Sequence, residues 1–256
     1  DVFVSDGNKF SLVYSANGGV GAPTDKGAYE SGNTAEISTI EPTRIGYTFM
    51  GWSTSEYAIN VDYNSGGAID FENADIVLYA VWEANVYSVV YDGNGGDGTM
   101  DDSRFSYGTK QKLTANGFTK VGETFVGWAL TPTGSVMYGD EAEVADLCTD
   151  NDDTITLYAV WQKTVTKISF VSDGGTVNAP TSVGYGEQLS ADGLVVPTRG
   201  GYKFAGYYTQ ADGAGDMIFD GEMNVAYTGA WDKNVVTLTL YAAWTPVSYT
   251  VVYVNG

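Results

Sequence analysis

The stretch whose reading decides the fold is Leu78-Tyr79-Ala80-Val81-Trp82. It returns as Leu157-Tyr158-Ala159-Val160-Trp161 and again as Leu240-Tyr241-Ala242-Ala243-Trp244, at spacings of 79 and 83 residues. Alternation puts Leu78, Ala80 and Trp82 on one face, as in a strand with one buried side. Two further motifs recur around it in the same order. Gly46-Tyr47-Thr48-Phe49-Met50-Gly51-Trp52 matches Gly122-Glu123-Thr124-Phe125-Val126-Gly127-Trp128 and Gly201-Tyr202-Lys203-Phe204-Ala205-Gly206-Tyr207. Val13-Tyr14-Ser15-Ala16-Asn17-Gly18-Gly19 matches Val90-Tyr91-Asp92-Gly93-Asn94-Gly95-Gly96 and Ser169-Phe170-Val171-Ser172-Asp173-Gly174-Gly175. Its Asn-Gly-Gly ending tolerates positive φ and predicts a strand closed by a tight turn.

A shared order makes this a true repeat. The period exceeds the 20–50 residues of a solenoid unit. Each copy is long enough to fold as a small module. The boundaries read from the motifs are 9–84, 85–162 and 163–246. Residues 1–8 carry an N-terminal strand, Phe3 to Gly7, that echoes Phe170 to Gly174. Residues 247–256 reproduce the first strand of a further module, left orphaned or exchanged with a neighbour. Short joints such as Glu83-Ala84-Asn85 and Gln162-Lys163-Thr164 leave little slack, so an elongated rod of modules is expected. Weak helical signals fall only at Glu141 to Leu147 and Asp70 to Asn73.

Composition narrows the function. Of 256 residues, 43% are hydrophobic and 17% charged, enough apolar content for folded modules. Acids outnumber bases 32 to 12, a net charge of −20, which opposes binding to nucleic acid or anionic membrane. Histidine is absent, which removes His-based nucleophile systems, His-ligated zinc and a His pH switch from this chain. The lone Cys148 forms no internal disulfide or Cys-pair metal site. No apolar run approaches a membrane span, so no membrane insertion is expected. The chain starts on Asp1 without a signal-peptide pattern, and a processed or trimmed chain is the expectation.

Together the three motifs resemble the Listeria–Bacteroides repeat, the module that internalins carry as their B repeat. The likeness rests on the Asn-Gly-Gly turn, on Pro42-Thr43-Arg44 leading into the aromatic strand, and on the closing Leu-Tyr-Ala-x-Trp. It covers nearly the whole chain. The third copy departs from it, with Tyr207 in place of Trp and an insertion near Gly229–Asn234 that adds Trp231. The resemblance implies a mainly β, β-grasp-like (α+β) module of four strands with at most a short helix. It also implies an extracellular or cell-surface location in bacteria and no catalytic site.

Each conspicuous side chain has a sharp and a plain reading. Trp52, Trp82, Trp128, Trp161, Tyr207 and Trp244 sit in alternating strands of every copy and read as structural residues. Trp231 lies outside the repeat and is the candidate for an exposed contact. Asp92 and Asp97 flank a Gly-rich turn, while Asp150, Asp152 and Asp153 crowd before the last strand of module 2. Carboxylates on flexible backbone suit Ca²⁺, yet no EF-hand spacing is met, and a solvated acidic loop stands beside that reading. Calcium is the only cofactor so raised. Gly93 to Gly98 fits G-x-G-x-x-G formally, but no crossover helix follows.

No catalytic, cofactor-binding or metal site follows with any definition, and an enzyme is not expected. The expected role is a bacterial surface stalk, spacer or adhesive segment. Its partners would be a host or neighbouring-cell surface protein or glycan, or copies of itself, through loops 53–73, 129–153 and 208–235. The alternative is a filament or sheath subunit assembled by terminal strand exchange.

Overall fold

The computed structural model describes residues 8–254. Most of the strand expected over 1–8 therefore lies outside the described residues. The chain is almost wholly β, with one short 3₁₀ turn at Ala211–Gly213 among the described residues. Two compact units emerge. One takes in the chain through Asp92 with Met100–Asn116 and Trp128–Tyr158; the other holds Gly93–Thr99, Gly117–Gly127 and the chain from Ala159.

In the first repeat, β1 (Leu12–Ser15) and β5 (Ile76–Ala84) run parallel, and β3 (Tyr47–Ser53) joins the other side of β5 antiparallel. The Leu-Tyr-Ala-Val-Trp stretch is thus the central strand of a three-stranded sheet. A central strand is flanked on both sides, which explains why its apolar content is the highest in the repeat. Two short strands, β2 (Thr34–Glu36) and β4 (Ala68–Asp70), form a separate antiparallel ribbon. Its inward Ala35 and Ile69 pack with Leu12, Tyr14, Trp52 and Leu78 in one core.

The second repeat keeps the plan. β6 (Val86–Asp92) lies parallel to β11 (Thr154–Lys163), within the sheet order β7-β6-β11-β9, where β7 is Ser103–Ser106 and β9 is Glu123–Ala129. Its ribbon pairs β8 (Gln111–Lys112) with β10 (Glu143–Val144). In the third repeat the order is β13-β12-β16-β14-β15, from Thr181–Gly184, Val165–Val171, Thr237–Pro246, Tyr202–Tyr208 and Met217–Asp220.

Among the described residues the main sheets hold three, four and five strands, where four in each module were expected. Outer strands are added where the flanking segment pairs long enough, and β7 and β13 do so where the first repeat keeps only a Phe10–Tyr29 bridge. The helical signals also fail. Glu141 and Asp146 take positive φ of 51° and 56°, which a helix does not accommodate, and β10 lies between them. Asp70 ends β4.

Candidate functional site

Two small devices recur, one within each repeat and one at each junction between repeats, and both are built from backbone and aromatic rings. The first closes the turn after β1, β6 and β12. Asn17, Asn94 and Asp173 have φ of 45°, 48° and 44°, and Gly18, Gly95 and Gly174 follow at 88°, 84° and 84°. Two successive positive φ values make a tight primed turn. The closing tryptophan lies on the next glycine: a Cβ on Gly19, Gly96 or Gly175 would come within 2.6, 2.6 or 2.4 Å of Trp82, Trp161 or Trp244. Each indole N–H donates to a turn carbonyl, Ala16 at 3.0 Å, Gly93 at 2.8 Å and Ser172 at 2.9 Å. These three tryptophans are half-buried and staple the sheet's central strand to its turn.

The second device joins repeats. Within the first unit, the Asn85 N–H donates to the Gly46 carbonyl at 2.9 Å, and the Asn85 carbonyl accepts the Tyr107 N–H at 2.9 Å. The Tyr107 ring lies on Gly46 so closely that a Cβ there would be 2.2 Å from it. Tyr47 meets the same ring edge-on, with centroids 5.7 Å apart. Within the second unit the arrangement repeats. The Thr164 N–H reaches the Gly122 carbonyl at 2.8 Å, the Tyr185 N–H reaches the Thr164 carbonyl at 2.8 Å, and a Cβ on Gly122 would be 2.1 Å from the Tyr185 ring. Gly46 and Gly122 share a φ of 75°. The left-handed backbone favours glycine, and the ring leaves no room for a Cβ.

The flank of the joint varies by compensation. Arg44 stands over the Tyr47 ring at 3.8 Å and Arg199 over Tyr202 at 4.1 Å. In the second repeat both partners change together, and Lys120 pairs with Glu123 at 3.1 Å. A cation–π contact is thus exchanged for an ion pair of similar modest strength. A shallow hollow beside the first joint is lined by Pro42, Arg44, Tyr47, Phe49, Trp82 and Asn85.

The remaining residues singled out in the sequence fall into place around these devices. Trp52, Trp128 and Tyr207 are fully buried, and Tyr14, Tyr91 and Phe170 lie against them at 4.9, 5.0 and 4.7 Å. Trp231 overturns its reading as an exposed contact, because it is 0% exposed. Its N–H and C=O bond to Glu187 and Gly186, as those of Phe71 bond to Asn33 and Gly32 in the first repeat. Trp231 is therefore the counterpart of Phe71. The indole N–H donates to the Thr166 hydroxyl at 2.8 Å, which removes the cost of burying it.

The calcium reading finds no ligand set. Among the described residues, no cluster of three or more acidic, Cys or His side chains is placed to hold a metal. Asp152 pairs with Arg104 at 3.2 Å, and Asp153 accepts the Thr154 N–H at 2.7 Å. Asp150 takes the Thr149 hydroxyl at 3.4 Å, Asp97 bridges Thr119 through its backbone, and Asp92 pairs with Tyr158 in the ladder.

Tyr107 and Tyr185 escaped the sequence reading. The signal was a Tyr-Gly dipeptide at 107–108 and 185–186, each placed just after a strand, β7 or β13. No motif of the closing strand points to it, because its partner glycine lies one repeat earlier.

The sequence profile of the Listeria–Bacteroides repeat domain matches residues 10–81, 87–160 and 167–243. The chain belongs to the Listeria–Bacteroides repeat family. Two proteins of Evansella cellulosilytica, one named as a Gly-rich membrane protein and one as a membrane protein, are 30% and 28% identical over 93% of this chain. Internalin H of Listeria monocytogenes is 30% identical over 72% of it. The chain spans 25%, 33% and 28% of these relatives' lengths. Among the described residues, no helix is long and apolar enough to cross a membrane.

Proposed function

We propose that this chain is a non-catalytic segment of a bacterial cell-surface protein and acts as a stiff spacer. The observation that carries this reading is the repeated joint. Two backbone hydrogen bonds and a ring on a glycine tie each repeat to the next, with no linker between β5 and β6 beyond Asn85 or between β11 and β12 beyond Thr164. Linkers of Gly and Ser would give a flexible chain instead. Surface location is supported by the family and by the names of the relatives. Their length fits a spacer used as part of a larger molecule.

The test is a distance distribution. Spin labels on cysteines introduced at Ile59 and Val136, both exposed, with Cys148→Ser to remove the native thiol, report across the first joint. Pulsed electron resonance should give one narrow distance, broadened by Tyr107→Ser. A broad distribution in the native joint removes the spacer reading. An adhesive contribution belongs to the loops that differ between repeats. Tyr57 and Ile59 stand 85% and 89% exposed in one of them. A glycan array probed with the native chain and with Tyr57→Ala tests that contribution.

A further inference from the structure

The third repeat carries the receiving half of the joint. Gly201 has the φ of 75° found at Gly46 and Gly122, and its carbonyl accepts the Val247 N–H at 3.0 Å, as theirs accept Asn85 and Thr164. Arg199 lies over Tyr202 as Arg44 lies over Tyr47. Yet a Cβ on Gly201 would meet nothing within 4 Å. Gly46 and Gly122 are buried, while Gly201 and Tyr202 are exposed. The Val247 carbonyl, in the position that accepts Tyr107 or Tyr185 elsewhere, has no such donor among the described residues. The flanking side-chain pair differs on both sides: Lys203 stands where Thr48 and Thr124 do, and Val247 where their hydrogen-bond partners Asn85 and Thr164 do.

We propose that Gly201, Tyr202 and the Val247 backbone form a seat for the tyrosine of a further repeat following in the same line. This rests on the reading of the repeats as a jointed spacer. The occupant is a Tyr-Gly turn like Tyr107-Gly108 or Tyr185-Gly186. A second copy of this chain is a poor fit, because its first repeat offers the wrong residue. Phe10 bridges Tyr29 as Tyr87 pairs Phe105, and the Gly32 N–H is held by the Phe71 carbonyl as the Gly186 N–H is by the Trp231 carbonyl. That register puts Ser31 where the later repeats have tyrosine. The second repeat thus carries both a plug, Tyr107, and a seat, Gly122, whereas the first carries the seat at Gly46 without a tyrosine plug.

The experiment extends the chain by placing a second copy of residues 85–162 directly after Pro246. In the extended chain, nuclear magnetic resonance should show the Gly201 α-protons shifted by, and in contact with, the ring of the added tyrosine. A Tyr107→Ser change confined to the added copy should abolish both signals. So should Gly201→Asn, since asparagine tolerates this φ but fills the seat. In the unextended chain Gly201→Asn should leave the melting temperature unchanged. The inference falls if the added repeat folds, with its tryptophans shielded, and Gly201 still feels no ring. It also falls if Gly201→Asn melts both chains equally, which makes the glycine a turn residue only, or if the unextended chain associates through Gly201 with its own copies. Labels across Gly46 and Tyr107 report on the spacer reading separately. A narrow distance there beside an empty Gly201 seat overturns this inference alone.

Discussion

At the residue scale the core aromatics are few and each matters. Trp52 is fully buried in a repeat without a disulfide, so Trp52→Ala should cost about 3–5 kcal/mol and unfold the first repeat in urea before the others. Its third-repeat counterpart makes the opposite prediction. The Tyr207 hydroxyl is buried without a hydrogen-bond partner. Tyr207→Phe should therefore leave the urea midpoint unchanged or raise it. Tyr14 and Tyr87 differ from Tyr207 by having a donor. Burial raises their hydroxyls above the ordinary value near 10, and the amide N–H groups of Ser38 and Leu147, which donate to them, oppose the rise. A phenol harder to ionise when folded contributes fully below about pH 10, and that contribution is lost as pH climbs through the folded value. Tyr14→Phe, the residue already present as Phe170, should cost about 1 kcal/mol at neutral pH through the lost Ser38 bond. The gap to the native chain should close above about pH 10, as read by urea unfolding at the two pH values.

At the element scale the central strand was legible because its alternation and closing tryptophan survive in all three copies. The parallel partner of that strand was also visible, as the run ending in Asn-Gly-Gly. What stayed hidden were the ribbons β2–β4 and β8–β10. Their strands have two or three residues, too short for any period to register, and only Ala35, Ile69 and Val144 turn inward. Trp231 was hidden for a related reason. It replaces Phe71 in space but sits 160 residues later, while the repeat period would place that counterpart elsewhere. Trp231→Ala should cost about 3–5 kcal/mol. Trp231→Phe should cost less and leave Thr166 without the indole N–H; chemical denaturation followed by the intrinsic fluorescence of the third repeat separates the two.

At the scale of the whole molecule the charge dominates. A net charge of −20 repels itself, and the ion pairs among the described residues are mostly solvent-exposed, such as Arg104–Asp152 and Lys110–Glu143. Salt screens the repulsion between distant charges more than it screens pairs in direct contact, and exposed pairs contribute little at any salt. The melting temperature should rise when salt is increased from about 0.01 M to about 0.5 M, where the screening length falls well below 10 Å. A fall would mean that the exposed pairs contribute more than their geometry suggests.

The placement of the joint has a consequence for how such a chain changes length. In the second and third repeats the tyrosine plug (Tyr107, Tyr185) and the glycine seat (Gly122, Gly201) ride on the same unit of sequence. Unequal recombination that inserts or removes one whole unit therefore regenerates a complete contact at the new boundary, whereas an exchange out of phase strands a glycine without its ring. In the spacer proposed above, reach would be tuned in steps by copy number, with the same joint restored at every step.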